Sequence, residues 1–281
     1  MSGAKLAVLV SLVTVQWLVA TVESAASPSD QGTDERATPK PAPSRTQLEP
    51  RTRLQLVQIP GGRFHLGCEP SDTHCFDDEK PGRDTEVKTF WLARTDTTPQ
   101  MYAQCVSAGP CSAPQTGGSC NWNVQGRDQH PINCIDWNQA RTFCGWIGMR
   151  MPSAAEWEYA AKGGEGRLYP WGAGPVTGKR ANFCDRRCYE LHIDWTWTDR
   201  SIDDGWPSTS PVGFYPAGAS RHGLLDMAGN AANWTADDYE RGRKEARGGG
   251  WDLYARYLRT SARIKLAPER WFDNVTVRCA R

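Results

Sequence analysis

No cysteine lies between Cys188 and Cys279, although the sequence carries ten. The stretch RGGGWDLYARYLRTSAR (Arg247–Arg263) inside that gap holds glycines, aromatics and arginines but no thiol. Histidine is scarce as well. His65, His74, His130, His192 and His222 lie far apart with no H-x-x-x-H or H-x-H pair, so paired-imidazole metal sites are not indicated. There is no G-x-S-x-G elbow, no phosphate loop and no Cys/His nucleophile pair. The Gly-rich GGEGR at Gly163–Arg167 follows a helical pattern, the wrong order for cradling a phosphate. A net charge of +1 and the lack of a basic cluster exclude a broad nucleic-acid-binding face. No internal repeat is present.

One long apolar run exists, at the N-terminus. Lys5 precedes LAVLVSLVTVQWLVATV, and the small residues ESAAS follow, with a cleavage point near Ala25 or Ala26. This predicts a signal peptide over 1–26. Ser11, Thr14 and Gln16 interrupt the run and no second apolar segment follows, which favours a cleaved leader over a membrane span. No cysteine stands beside the cleavage point for a bacterial lipid anchor. Residues 27–53 are rich in Pro, Ser, Thr and charge and predict a disordered linker, since they lack the apolar groups that offset ordering entropy. Residues 54–281, roughly 230 residues, suffice for one well-buried domain. The expected location is secreted, periplasmic or extracellular. The oligomeric state is not indicated.

Ten cysteines behind an export signal predict disulfides. Proximity pairs Cys68 with Cys75, Cys105 with Cys111, Cys120 with Cys134, and Cys184 with Cys188. Cys144 and Cys279 remain, and a bridge closing that long loop contributes about 4–5 kcal/mol in the chain-entropy model. Cys184, Cys188 and His192 are spaced for one face of a helix. A zinc ion there would need a fourth ligand, and export oxidises such a pair, so a bridge is preferred.

LQLVQIPGGRFHLG reads as two strands split by Pro60-Gly61-Gly62, a hairpin signal. TEVKTFWLARTDTT continues the extended pattern. Thr98 and Pro99 open a helix through PQMYAQCVSAG. Asp136 opens another, with Trp137, Ala140, Cys144 and Ile147 on one face. Ser153 and Glu156 form a capping box before a third helix that ends at Gly163. After Lys162 periodicity fades into a long Gly-, Pro-, Asp- and Trp-rich region, which ends in short strands at EARGGGW and VTVRCAR.

In order, the phrases IPGGRFHLG, HPINCIDWNQARTFCGW, RMPSAAEWEYAAKGG, LYPWG, ANF, SPVGFYPAG, GLLDMAGNAANWT, RGGGW and VRCAR, spread over Leu56–Arg281, resemble the formylglycine-generating enzyme (sulfatase-modifying factor) family. The resemblance implies an α+β, C-type-lectin-like fold of the formylglycine-generating enzyme type, with little regular structure and stabilised by disulfides and calcium. It also supports the Cys144–Cys279 bridge. Members of the family oxidise a sulfatase cysteine using O2 and a copper(I) ion held by two cysteines, in a pattern like G-G-S-Y-x-C-H-x-S-Y-C. The matching stretch here is the shorter, thiol-free Arg247–Arg263. Copper(I) selects soft sulfur ligands, so copper and catalytic residues are not expected. Asp252, Tyr254, Arg256, Tyr257 and Arg259 would form the floor where that chemistry stood, suited to hydrogen bonding and stacking with a polar or aromatic ligand.

The resemblance places one calcium site at Asp226 and Asn233 with the carbonyls of Gly229 and Ala231. A second falls at Asn182 and Asp204 with the carbonyls of Phe183 and Trp206. The family more often has Asn first and Glu last in the former. A three-histidine iron site, as in sulfoxide-synthase relatives, is not supported. Trp195, Trp197 and Trp271 lie outside the shared phrases and are candidates for a groove wall. Asn233 and Asn274 match the glycosylation pattern, a short match that arises often by chance. The expected function is a non-catalytic, peptide- or partner-binding domain. The alternative is a divergent oxidase of proteins or peptides using a different metal, as in relatives linked to siderophore maturation.

Overall fold

Apolar side chains in QLVQI and FWLA define the first sheet of the computed structural model, which describes residues 45–281. Strand β2 (Gln55–Ile59) pairs antiparallel with β5 (Phe90–Ala93), and Leu56, Val57, Ile59, Leu92 and Ala93 are buried. The leader expected over 1–26 lies outside the described residues. The expected linker end does not hold, because β1 (Thr46–Leu48) pairs with β2 from Thr46↔Val57 to Leu48↔Gln55. The Glu49 carboxylate then closes the turn, accepting the N–H groups of Arg51 (2.9 Å) and Thr52 (2.7 Å). Ordered structure therefore starts before Leu54. A three-residue edge strand is too short to leave a period in the sequence.

The expected hairpin at Pro60-Gly61-Gly62 is also corrected. Strand β3 (Gly62–Leu66) turns away from β2 and pairs with β4 (Arg83–Val87) in a separate two-stranded sheet. Gly61 is needed for this crossing, since a Cβ there would lie 2.6 Å from the Thr89 nitrogen and the Val87 oxygen.

The three capped helices form where their sequence signals stand. In α1 (Pro99–Ala108) the Thr98 side chain accepts the Met101 N–H. In α2 (Trp137–Trp146) Asp136 and Gln139 form a capping box, and Ala140, Phe143 and Cys144 face the core. In α3 (Ala154–Lys162) Ser153 and Glu156 do the same. The short α4 (Arg186–Leu191) is capped by Asp185. The last sheet runs β8 (Arg263–Leu266), β7 (Arg243–Arg247), β6 (Ala232–Glu240), β9 (Val275–Thr276), with β9 parallel to β6.

The C-terminal residues return to the first sheet, where the Ala93 N–H donates to the Cys279 carbonyl (2.9 Å) and the Trp91 N–H to the Arg281 carbonyl (2.8 Å). The Cys144–Cys279 bridge fastens α2 to this return. The other bridges are Cys68–Cys75, Cys105–Cys111, Cys120–Cys134 and Cys184–Cys188. This pairing is the one proximity and elimination select, and it is that of a protein matured in an oxidising compartment. No helix among the described residues is long and apolar enough to cross a membrane.

Ion pairs run through the interior beside α3. Lys162 meets Glu69 (2.6 Å) and Glu158 (2.9 Å) and donates to the carbonyls of His65 and Gly67. Glu158 in turn holds Arg247 (2.6 Å). Arg247 pairs with Glu245, which also binds Arg263.

Candidate functional site

The thiol-free stretch divides at Ala255. In its second half the arginines Arg256 and Arg259 are taken up by contacts within the fold. Arg256 donates to the His74 (2.6 Å) and Cys75 (2.8 Å) carbonyls and lies over the Phe76 ring. Tyr257 packs on the same ring, with centroids 4.9 Å apart. Arg259 is 1% exposed and donates to Asp72 (2.7 Å) and Glu79 (2.8 Å). The expectation that Arg256 and Arg259 face a ligand is thus corrected, because the loop closed by the Cys68–Cys75 bridge brings Asp72, Glu79 and the His74 and Cys75 carbonyls onto them, whereas Tyr257 stays half-buried and lines a cleft with Tyr239 and Arg263.

The first half faces an aromatic wall. Asp252 is half-buried, and both its carboxylate oxygens accept the Asn274 amide, at 2.8 and 2.9 Å. Burial pushes this carboxyl up to about 6; the Asn274 hydrogen bond opposes the shift and the Asp273 charge adds to it. The Asp252 carbonyl accepts Trp197 Nε1–H (3.1 Å). Tyr254 stands edge-on to Tyr257, 5.1 Å away. Trp197 stacks on Trp195 (5.1 Å), and Trp195 stacks on His192 (3.9 Å) and Trp251 (6.1 Å). The Asp185 cap and the Cys184–Cys188 bridge fix α4 beneath this stack. The bridge removes both sulfurs from the zinc alternative. Trp197 and Trp271 are each 46% exposed.

Beside the wall opens a pocket of about 420 Å³ between the Cys120 loop, the end of α4 and Pro207–Ser208. Val124 and Leu191 line it with exposed apolar surface, and Arg127 and His192 supply polar groups. Arg127 Nη1 reaches His130 Nδ1 (3.1 Å) and the Thr209 carbonyl (3.1 Å). His130 is buried, and burial, then the Arg127 charge, push it down to about 4. Sequence reasoning missed Arg127, Val124 and Leu191. No motif marks them, and only the fold brings 124–127 to α4.

The two calcium loops differ. At Asn182 and Asp204 the donor set fits a hard cation. Asn182 Oδ1 is buried without a partner among the described residues. The Asp204 carboxyl is pushed up to about 8, by burial first and then by the neighbouring Asp185 charge. Asp204 accepts the Phe183 and Trp206 N–H groups, both at 2.9 Å, which hold the loop in place. A buried orphan oxygen beside crowded carboxylates is what a cation relieves. Asn233 does not fit the other set, because its Oδ1 already accepts Trp157 Nε1–H (2.8 Å) and Arg278 Nε–H (2.9 Å), which uses both lone pairs. Asp226 there accepts the Gly213 N–H (2.6 Å). Gly229 locks the two loops together, since a Cβ would sit 2.0 Å from the Asn182 carbonyl; the candidate carbonyls of Gly229 and Ala231 lie on the buried turn entering β6. Asn233 is also too buried to accept a glycan, at 1% exposure, and the Asn274 amide is committed to Asp252.

A mixed α+β domain of short elements, stapled by five bridges and carrying its polar groups in loops, defines a disulfide-stabilised scaffold of the formylglycine-generating enzyme type. Residues 42–281 match the sulfatase-modifying factor enzyme 1-like domain, and the chain belongs to that family. It is 28% identical to the formylglycine-generating enzyme of Streptomyces coelicolor, over 87% of this chain and 93% of that one. It is 27% identical to the inactive C-alpha-formylglycine-generating enzyme 2 of Bos taurus, over 81% and 88%. The solved structure of PvdO from Pseudomonas aeruginosa has the same fold, with a TM-score of 0.70 and 23% identity, covering 86% of this chain and 99% of that one.

Proposed function

We propose that this protein is an exported family member that lacks the copper–thiol oxidase chemistry and serves as a peptide- or partner-binding module, with a structural calcium ion at Asn182 and Asp204. One observation carries the reading: all ten cysteines of the sequence are bridged, and no thiol is left. Copper(I) would need thiolate or thioether sulfur. The buried methionines Met149, Met151 and Met227 are core residues and do not line the pocket. The Asp252 side of the stretch offers only oxygen and aromatic groups. The donor set does not fit copper, and no redox step is derived through it.

The alternative, an oxidase with a different metal, finds little support. Among the described residues, Asp72, Cys75 and Glu79 bring three candidate ligand atoms together. The sulfur of that trio is bridged to Cys68, and its carboxylates take hydrogen bonds from Arg259. A relative whose name calls it inactive lends support to the reading. Calcium at Asn182 and Asp204 would supply no chemistry beyond charge. It would neutralise Asp204 and Asp185 and hold the loop that positions α4.

The test is a free-thiol count, metal analysis and oxygen-uptake assay on the mature, oxidised protein with cysteine-containing peptides. No free thiol, bound calcium and no oxygen uptake are expected. Oxygen consumption coupled to peptide oxidation would move the protein to the oxidase class.

A further inference from the structure

One arginine at the pocket has no anion among the described residues. Arg247, Arg259 and Arg278, the well-buried arginines of the domain, each pair with a carboxylate. Arg127 is half-buried at the pocket, and its Nη1 meets only Thr209 and His130, neither of which carries negative charge. Burial lowers its pKa with no acidic neighbour opposing the shift. A desolvated guanidinium costs stability unless something charged completes it. His192 also lines the pocket, and its Nε2 is buried without a hydrogen-bond partner among the described residues. Val124 and Leu191, 42% and 51% exposed, flank the opening with apolar surface that nothing among the described residues covers.

We propose that this pocket binds the carboxylate of an extended peptide, with Arg127 receiving the charge and Val124 and Leu191 contacting the apolar residue that carries or adjoins it. The inference rests on the binding-module reading and names the ligand chemistry. A guanidinium offers paired donors that match a carboxylate. The aromatic stack behind His192 keeps that ring in position. The carboxylate can belong to a chain terminus or to an acidic side chain; the recognition chemistry is shared.

The experiment is calorimetric titration of the full, oxidised protein with three probes. These are N-acetyl-Gly-Ala-Leu with a free terminal carboxylate, its C-terminal amide, and N-acetyl-Ala-Glu-Leu amide, whose carboxylate is internal. At least one acid should bind about tenfold or more tighter than the amide, as a charge-assisted hydrogen bond predicts. The tighter acid identifies the source of the carboxylate. Added salt should weaken the acids and leave the amide unchanged. Arg127→Gln should erase the preference for acids. Leu191→Asp, at an exposed rim, should weaken both acids by about tenfold through like charge while leaving the melting temperature unchanged, and it decides the matter should Arg127→Gln not fold. Equal binding of acid and amide, no binding of any probe at millimolar concentration, or a preference left undiminished by Leu191→Asp would each overturn the proposal. These failures leave the thiol count and oxygen uptake untouched, so the binding-module reading is judged separately.

Discussion

Two regions of the domain treat buried charge in opposite ways. Beside α3 each ion meets an opposite one: Lys162 with Glu69 and Glu158, Arg247 with Glu158 and Glu245, Arg259 with Asp72 and Glu79. At the pocket and its aromatic wall the charges are left single. Arg127 has a hydroxyl, a carbonyl and an imidazole; Asp252 has the Asn274 amide. Matched ions in a low-dielectric interior fix one another, and removing one strands its partner. Unmatched ions keep only neutral hydrogen-bond partners, which offset less of the cost of their burial. The difference teaches that formal charge alone does not mark a site in this chain; a charge left without an opposite partner at a pocket is the stronger signal.

The largest expected effect lies in the matched region. Glu158 takes Lys162 (2.9 Å), Arg247 (2.6 Å) and the Gly67 N–H (2.6 Å) while fully buried. Glu158→Ala should cost about 3–5 kcal/mol in chemical denaturation, because two cations lose a shared counter-ion. Glu158→Leu combined with Lys162→Met should recover part of that loss. A cost near zero for Glu158→Ala would break the comparison, since matched charge would then not hold the frame.

Removing the single charge at the wall should do the reverse. The Asp252 carboxyl is held up to about 6, above the ordinary aspartate value. Between about pH 4 and 6 the folded protein therefore keeps a proton that the unfolded chain has released, and stability falls as pH rises through that window. Asp252→Asn keeps an acceptor for Asn274 and removes the charge. It should stabilise the protein by about 1–2 kcal/mol at pH 8, discounted for the part of the carboxylate that water reaches, and by little at pH 4. Melting curves of both proteins at the two pH values check the sign. A variant destabilised more at pH 8 than at pH 4 would show that Asp252 has a cationic partner after all.

Much of the matched frame was legible in the sequence because its signals are local. The caps at Thr98, Asp136 and Ser153 each act on a residue three positions on, and four of the bridges join cysteines close in the chain. Features set by distant pairing stayed hidden. Arg259 looked like a floor residue because its partner Glu79 is 180 residues away. Pro60-Gly61-Gly62 announced a turn but not which strand would lie beside β3. Arg127 was invisible for a stronger reason. Being unpaired is a property of the whole fold, and no stretch of sequence can carry it.

Strand β3 lets the comparison be sharpened with its smallest effect. On its inner side the His65 carbonyl accepts Lys162, and on its outer side Arg63 faces Glu86 at 3.6 Å, with side chains 87% and 70% exposed. The two ion systems share a strand and the same chemistry, and they differ in solvent. Water screens the outer pair, and ordering two long side chains offsets what attraction remains. Arg63→Ala should therefore leave the unfolding midpoint within the scatter of repeat melts at both low and high salt. A salt-dependent loss approaching that of Glu158→Ala would mean that pairing alone, without burial, stabilises this domain, and the contrast between its frame and its pocket would lose its physical basis.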